Sequence, residues 1–421
     1  MNLSTFRALK SRNFRLYFTG QALSLLGTWM QKTAVSWVVY SVTHSKLMLG
    51  LSVFATMFPS AAFSLVGGGV ADRYNRYRVL LTTQVLSMVQ AALLTALVYF
   101  QPTGVWGIIG LSVLLGVING FDVPARQSLV HQLVPAKDDL PNALALNSSM
   151  VNLSKLLGPA IAGLAIEKLG ATTCFALNTL SFVAVIGSLL ALRLPAYQAT
   201  VHKKNILGEL REGLAYLRHT PNIRFVVLML ALVSLLALPF TTLMPVYAKD
   251  IFHGTATTFG LIDSAIGAGA FVGALYLASR PPGTNLSRIL MGNTFIFGAG
   301  LVLFSHAPTY WLALLCIALG AFGMMSQITI SNTLLQTQAR PDMRGRVISF
   351  YVLAYTGTVP LGSLLVGWVS QRIGVQNTVL LQGLLALGLG GLHYRELHKL
   401  PVVPTELPPQ ANSTQGLALS S

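Results

Sequence analysis

The chain is 421 residues long, 53% hydrophobic and only 10% charged, with a mean hydropathy of +0.64, whereas a soluble globular protein carries roughly a quarter charged residues. That composition excludes disordered, collagenous and disulfide-stapled classes and describes a polytopic membrane protein, in which a dozen spans of about 20 residues would use roughly 240 positions. The net charge of +16 resembles a nucleic-acid signal until each charge is placed along the chain.

Twelve apolar segments of membrane length follow one another at 14–40, 48–71, 79–100, 105–131, 142–167, 172–194, 224–247, 257–279, 289–306, 309–335, 346–371 and 376–394. The first follows Arg7, Lys10 and Arg12 as a signal peptide would, but its apolar run is too long and has no small-x-small cleavage site, so it is expected to remain as the first helix. Cys174 and Cys316 lie inside apolar runs and read as small hydrophobes. Twelve spans put both termini on one side. Of the 28 cations, Lys46, Lys168, Lys249 and Arg372 fall on the opposite side, Lys32, Arg126 and Lys155 fall within spans, and the other 21 fall on the side of the termini. Such a bias predicts a cell (inner) membrane protein with both termini cytoplasmic. The basic excess then reports topology and contact with the lipid bilayer, and no nucleic-acid partner is expected.

The expected fold is an all-α membrane protein of twelve transmembrane helices in two pseudo-symmetric six-helix bundles. Residues 1–195 form the first bundle, 196–223 a cytoplasmic linker, 224–398 the second bundle and 399–421 a Pro-rich disordered tail. Within the linker, Ile206, Leu207, Leu210, Leu214 and Leu217 share one helical face, as in an amphipathic helix on the inner membrane surface. The halves repeat. Ser24-Leu25-Leu26 and Gly50-Leu51 recur as Ser234-Leu235-Leu236 and Gly260-Leu261, while Gly158, Gly163, Lys168 and Gly170 recur as Gly362, Gly367, Arg372 and Gly374. Two parallel repeats with a cavity between them are a transporter's geometry.

In the fifth span, Ala145, Ser154, Gly158, Pro159, Ala162 and Gly163 let another helix approach closely, and Pro159 removes one backbone hydrogen bond. Gly158, Pro159 and Gly163 are candidates for a helix hinge, with generic packing as the alternative. The eighth span offers a matching surface in Gly260, Ser264, Ala265, Gly269 and Gly273.

The loop after the second span reads Gly68-Gly69-Val70-Ala71-Asp72-Arg73-Tyr74-Asn75-Arg76-Tyr77-Arg78. It resembles the signature of the major facilitator superfamily in this loop, a Gly with Asp-Arg four residues on, a turn residue and further basic residues. Asn75 stands where that signature often has Gly, and Asn tolerates the left-handed conformation of a tight turn. The resemblance implies that Asp72 meets the helix start at Arg344-Gly345-Arg346 and locks a cytoplasmic gate in the outward-facing state. Gly68, Asp72, Arg73, Arg76, Arg344 and Arg346 are the gate candidates; a solvated, topology-setting turn is the alternative. Within the superfamily the chain is most similar to the bacterial transmembrane secretion effector branch that includes the enterobactin exporter. The segments carrying this are Gly27-Thr28-Trp29-Met30-Gln31, Val123-Pro124-Ala125-Arg126-Gln127, Asn147 through Pro159, Glu212-Gly213-Leu214, Asn332 through Gln336 and Arg344 through Val347. The fifth-span spacing also resembles the superfamily's antiporter motif, with Ala145, Ser154 and Ala162 in place of its glycines.

An ionisable group in a span costs at least about 2.5–3.5 kcal/mol unless it faces a cavity or partner. Gln21, Ser24, Thr28 and Lys32 form one polar stripe on the first span, and Asn119, Asp122 and Arg126 form another on the fourth. The fifth span adds Ser148, Asn152 and Lys155. Because the first and fourth spans line the cavity in this superfamily, the resemblance implies that Lys32, Asn119 and Asp122 face substrate; with Gln21 and Thr28 of the same stripe, and Lys155, whose depth in its span calls for a cavity or partner, they are the candidates for substrate binding. The alternatives are that Asp122 and Arg126 neutralise each other, and that Lys32 snorkels to the outer surface. Asp122 and Asp263 are candidates for proton coupling, with Asp122 preferred; for Asp263 an interfacial role is the alternative.

No GxxxxGK[ST] loop or HExxH pair is present, so neither an enzyme, nor a metal site, nor a cofactor is expected. The expectation is a monomeric secondary transporter that exports a small organic molecule, a drug-like compound or a siderophore, in exchange for protons. An importer of a small metabolite and a non-transporting membrane sensor remain alternatives.

Overall fold

A computed structural model describes residues 3–101, 103–134, 137–194, 206–281 and 283–397. Their regular structure is helical throughout. The first bundle consists of α1 (Arg12–Thr43), α2 (Lys46–Arg73), α3 (Arg76–Phe100), α4 (Val105–Leu133), α5 (Leu140–Leu169) and α6 (Ala171–Leu190). After α7 (Ile206–His219), the second bundle opens with α8 (Pro221–Leu236) and its continuation α9 (Met244–Val246). It continues with α10 (Ala256–Ala278), α11 (Leu286–Ser305), α12 (Tyr310–Gln338), the pair α13 (Arg344–Val352) and α14 (Thr358–Ile373), and α15 (Val375–Leu397). Counting α8–α9 and α13–α14 as one span each gives six spans per bundle. Among the described residues, eleven spans are long and apolar enough to cross a membrane by composition. The remaining one, α1, is diluted by Arg12, Arg15, Gln21, Gln31 and Lys32, but its 32 residues reach about 48 Å. The spans follow the order read from the sequence, and the proposed tail at 399–421 lies outside the described residues.

The helix starts are fixed by side chains that take up free N–H groups. Ser45 accepts from Met48 N–H, and Asn285 from Arg288 N–H. Asn75 corrects an expectation. Its φ is −62°, not left-handed, and its Oδ1 accepts from the N–H groups of Tyr77 and Arg78. It serves as the N-cap of α3, which is why a side chain with an acceptor stands where a bare turn would suit glycine.

The repeat is visible in the backbone. Gly170 and Gly374 both have positive φ, 85° and 84°, at equivalent helix ends. His44 and His253, just before α2 and α10, both have φ 48°. Gly163 of α5 packs on the start of α10, and Gly367 of α14 packs on the start of α2. Each bundle is also held internally by buried amides, which in a bilayer have no water to satisfy them. In the first, Asn178 Nδ2 donates to Gln31 Oε1 at 2.8 Å, Gln31 Nε2 to Gln90 Oε1 at 3.2 Å, and Gln90 Nε2 to the Leu111 carbonyl at 3.1 Å. In the second, Gln382 Nε2 donates to the Leu236 carbonyl at 3.1 Å.

The linker forms a helix that packs on protein along part of its length. α7 is seated on the second bundle: Gly213, lacking a side chain, faces the Phe350 ring and the Arg346 stem. Leu217 is 6% exposed within an apolar cluster of the second bundle, while Leu214 is 42% exposed. Glu212 pairs with Arg346 at 2.6 Å, and the Arg340 N–H donates to the Tyr216 hydroxyl at 3.3 Å. The side chains of Ile206, Leu207 and Leu210, and residues 195–205, lie outside the described residues.

Candidate functional site

The end of the molecule that carries most of the arginines and lysines is called here the basic end, and the opposite end the far end. At the far end the two bundles are pressed together. A side chain on Gly50 would strike the Ser363 carbonyl, one on Gly367 the Lys46 carbonyl, and one on Gly163 the Ala256 carbonyl. Polar contacts reinforce this seal. The Tyr40 hydroxyl donates to the Asp250 carboxylate, Lys46 Nζ to the Ser370 carbonyl at 3.2 Å, and the Thr255 hydroxyl to Glu167 Oε2 at 2.6 Å. Trp37 stacks on Phe259 with centroids 6.1 Å apart, and Lys249 Nζ lies 5.8 Å from the Trp37 ring.

Toward the basic end this packing runs out. The small residues of α5 and α10 meet at Pro159 with Gly260 and, deepest, at Lys155 with Gly267. The lower part of α10 turns to its own bundle, with Gly269 on Ala318 and Gly273 on Phe322 of α12. Only part of the surface expected to meet α5 therefore does so. α13 packs on α7, α8 and α12. Gly68 near the end of α2 and Gly345 at the start of α13 have nothing within 4 Å of where a side chain would begin. It is Gly67, one residue earlier, that lets α2 approach the Gly120 backbone of α4.

Where close packing ends, three charged side chains from different helices come together. Lys32 of α1 is exposed, and Lys155 of α5 and Asp263 of α10 are half-buried. Lys32 Nζ lies 4.6 Å and Lys155 Nζ 5.5 Å from the centroid of the same Trp29 ring. Lys32 interacts electrostatically with Asp263 across the bundle boundary and with Lys155 within its own bundle. Gly158 seats the arrangement, since its missing side chain leaves room for the Trp29 Cβ. Trp29 escaped the sequence reading as a site residue because it carries no charge. Its spacing of three from Lys32 was the available signal.

The other expected site residues are distributed differently. Asp122 is 1% exposed inside the first bundle; its Oδ1 accepts from Thr83 Oγ1 at 2.8 Å and Gln84 Nε2 at 2.6 Å, and its Oδ2 pairs with Arg126. Its carboxylate thus lies on the α3 side of α4, apart from the lysine pair, in the mutual neutralisation that the i, i+4 spacing allowed. Buried next to it are the Tyr17 hydroxyl, Gln84 Oε1 and Arg126 Nε, none with a hydrogen-bond partner. Gln21 is 1% exposed and its Oε1 is likewise unpartnered. The Thr28 hydroxyl donates to the Ser24 carbonyl of its own helix at 2.8 Å. The stripe read on α1 therefore divides, with Gln21 and Ser24 inside the bundle and Lys32 at the boundary. Asn119 is half-buried on α4.

Of the gate candidates, Arg73 and Arg344 are exposed, and Arg76 Nε donates to the Ala71 carbonyl at 3.3 Å. Arg346 is engaged by Glu212 and the Met343 sulfur. The side chain of Asp72 lies outside the described residues. α5 is continuous through the hinge candidates, where Gly158 packs on α1, and Pro159 and Gly163 pack on α10.

Comparison with known proteins agrees with this architecture. The chain is 24% identical to "Macrolide efflux protein A" of Streptococcus pyogenes over 388 residues, covering 90% of this chain and 95% of that protein. It is 25% identical to "Staphyloferrin A transporter" of Staphylococcus aureus over 374 residues, 88% of this chain and 92% of that one. Among solved structures, a POT family transporter in complex with a thioalcohol-conjugated peptide aligns with a TM-score of 0.74 at 14% identity, covering 92% of this chain and 96% of that one. That likeness is one of fold, the two-bundle fold of major facilitator transporters. The family described as "Transmembrane secretion effector" matches residues 3–416. The chain thus belongs to the transmembrane secretion effector family, and it is a multi-pass membrane transport protein, not an enzyme.

Proposed function

We propose that the protein is a secondary active exporter of a small organic molecule, drug-like or siderophore-like, that works by alternating access and takes up protons in exchange. The observation that carries this reading is the placement of Lys32, Lys155 and Asp263 where the close contact between bundles ends. Charges in a bilayer are retained where they serve a pathway. In this reading the three charges and Trp29 form the cargo site. The basic end faces the cytoplasm of the inner membrane, as its surplus of cations requires. The protein acts as a monomer.

Alternating access is supported by the unequal ends of one helix pair. At the far end Gly50 and Gly367 bring α2 and α14 backbone to backbone, while at the basic end Gly68 and Gly345 stand with open space before them. Rocking the bundles would exchange which end is tight. On closure, Asp72 would take its place at the Arg344–Arg346 helix start, whose positive end suits a carboxylate, and the α5 segment Gly158–Gly163 would serve as the pivot. Asp122 is the proposed proton-carrying group. It is buried inside the first bundle and separate from the lysines. Tyr17, which interacts electrostatically with Asp122 and Arg126, stands about 22 Å along α1 from Lys32 at 1.5 Å per residue. Asp263, tied to Lys32, belongs with the cargo.

The experiment is transport into inside-out vesicles under an imposed proton gradient. Cargo accumulation should collapse with an uncoupler and in Asp122→Asn. Accumulation by Asp122→Asn equal to the parent would remove Asp122 from coupling, and uptake into whole cells would reverse the direction.

A further inference from the structure

Two ammonium groups and one carboxylate occupy the boundary where α1, α5 and α10 meet, and the imbalance bears on what the site accepts. Lys32 and Lys155 lie over the same indole at 4.6 and 5.5 Å. Neither makes a hydrogen bond or an ion pair with a described residue. The close backbone contacts at Gly158 and Gly267 fix the helices that carry them, so the two cations cannot separate by shifting α5 away from α1. Asp263 offsets one positive charge. The second is uncompensated within the apolar spans, where an ionised group is retained if it faces a cavity or a partner, and Trp29 supplies only the attraction of a ring face for a cation.

A ligand that brings the missing negative charge converts this repulsion into a pair of charge-assisted hydrogen bonds. We propose that the cargo is a small organic anion whose carboxylate is held between Lys32 and Lys155, with its apolar or aromatic body against Trp29. The proposal deepens the exporter reading and rests on it only for the movement of the cargo; the binding needs no transport. It also accounts for the proton seat. A proton on Asp263 would add positive charge and strengthen anion binding, whereas exchange requires proton and cargo to oppose one another, which they can do through a change of conformation when the proton sits on Asp122. A cationic cargo would meet a surplus of like charge.

The test is calorimetric titration of the full-length protein in phosphatidylcholine vesicles with naphthalene-2,6-dicarboxylate and with the matched diammonium, 2,6-bis(aminomethyl)naphthalene. The dicarboxylate should bind and the diammonium should not. Lys32→Gln and Lys155→Gln should each weaken dicarboxylate binding about tenfold or more, as expected for the loss of a hydrogen bond from a charged group. Lys155→Glu should shift the preference toward the diammonium, and thermal unfolding of each variant checks that it is folded. Equal or tighter binding of the diammonium, undiminished dicarboxylate binding in the glutamine variants, or no dicarboxylate binding at all would overturn the proposal. Loss of dicarboxylate binding on adding phosphatidylglycerol would assign the site to an anionic lipid headgroup instead and overturn the soluble cargo. If the dicarboxylate binds through both lysines but is not moved in vesicles, the exporter reading fails and the anion site stands.

Discussion

The hydroxyl of Tyr40 donates to the carboxylate of Asp250, and the two residues are 210 positions apart in the chain. That separation equals the offset at which Ser24-Leu25-Leu26 recurs as Ser234-Leu235-Leu236 and Gly50 as Gly260. Tyr40 and Asp250 therefore lie within one residue of equivalent positions of the two repeats, the corresponding His44 and His253 being 209 apart. Equivalent positions can touch only close to the axis that relates the bundles. A polar contact on that axis resists rocking in any direction, and it lies at the far end, where the seal is complete.

Removing this contact should loosen the far end. A hydrogen bond to a charged group contributes about 1.5–3 kcal/mol, so Tyr40→Phe or Asp250→Asn should raise the far-end-open population roughly tenfold or more. The check is labelling of a cysteine placed at Thr257 by a membrane-impermeant maleimide. Double substitution should add little to either single one, because both remove the same bond.

Gly50 and Gly367 should tolerate no larger residue. Gly50→Val would push a side chain into the Ser363 carbonyl and Gly367→Val one into the Lys46 carbonyl. Each should hold the far end apart and abolish turnover while leaving the protein folded. By contrast Gly187→Ala, on α6 with nothing within 4 Å, should transport like the parent. Vesicle transport rates and size-exclusion profiles distinguish these outcomes.

The amide ladder of the first bundle should appear in stability, not in transport specificity. Gln31→Leu removes the partner of both Asn178 and Gln90. Interhelical polar contacts in membranes average about 0.6 kcal/mol, with a maximum near 1.7, and here two are lost together. A destabilisation of about 1–3 kcal/mol in denaturant unfolding is expected, larger than that of Asn178→Leu, which removes one interhelical bond.

Glu212→Gln should free α7 from α13. The ion pair with Arg346 is partly exposed, and such pairs contribute up to about 1 kcal/mol. Faster hydrogen exchange in α7 is expected, with little change in global stability. High salt should give the parent a similar exchange rate, because screening acts on the same pair.

The spans and the duplication were legible because the bilayer imposes a simple rule of length and hydropathy, and because Gly163 and Gly170 recur as Gly367 and Gly374 at one fixed spacing. The charged site was only partly legible. Lys32, Lys155 and Asp263 stood out one by one, since each is anomalous in an apolar run. That they meet depends on how α1, α5 and α10 pack, which single-helix periodicity does not contain. Asp122 illustrates the reverse case. Its stripe on α4 gave its spacing from Arg126, but Thr83 and Gln84 on α3 donate to its other oxygen, and nothing along α4 indicated that neighbour. The far-end contact of Tyr40 with Asp250 was hidden for a similar reason, because both lie at span ends where polar residues are ordinary.

The central claim is that one end of the molecule closes as the other opens. Spin labels on cysteines replacing the exposed Tyr74 and Asp342 report the basic end, and labels replacing Leu47 and Arg372 report the far end; the native Cys174 and Cys316 are buried and can be replaced by alanine. Pulsed electron-spin distances measured in liposomes, with and without a proton gradient, should change reciprocally, the Tyr74–Asp342 distance shortening in the same population in which the Leu47–Arg372 distance lengthens. Distances that stay fixed at both ends, or that lengthen or shorten together, would contradict alternating access in this protein.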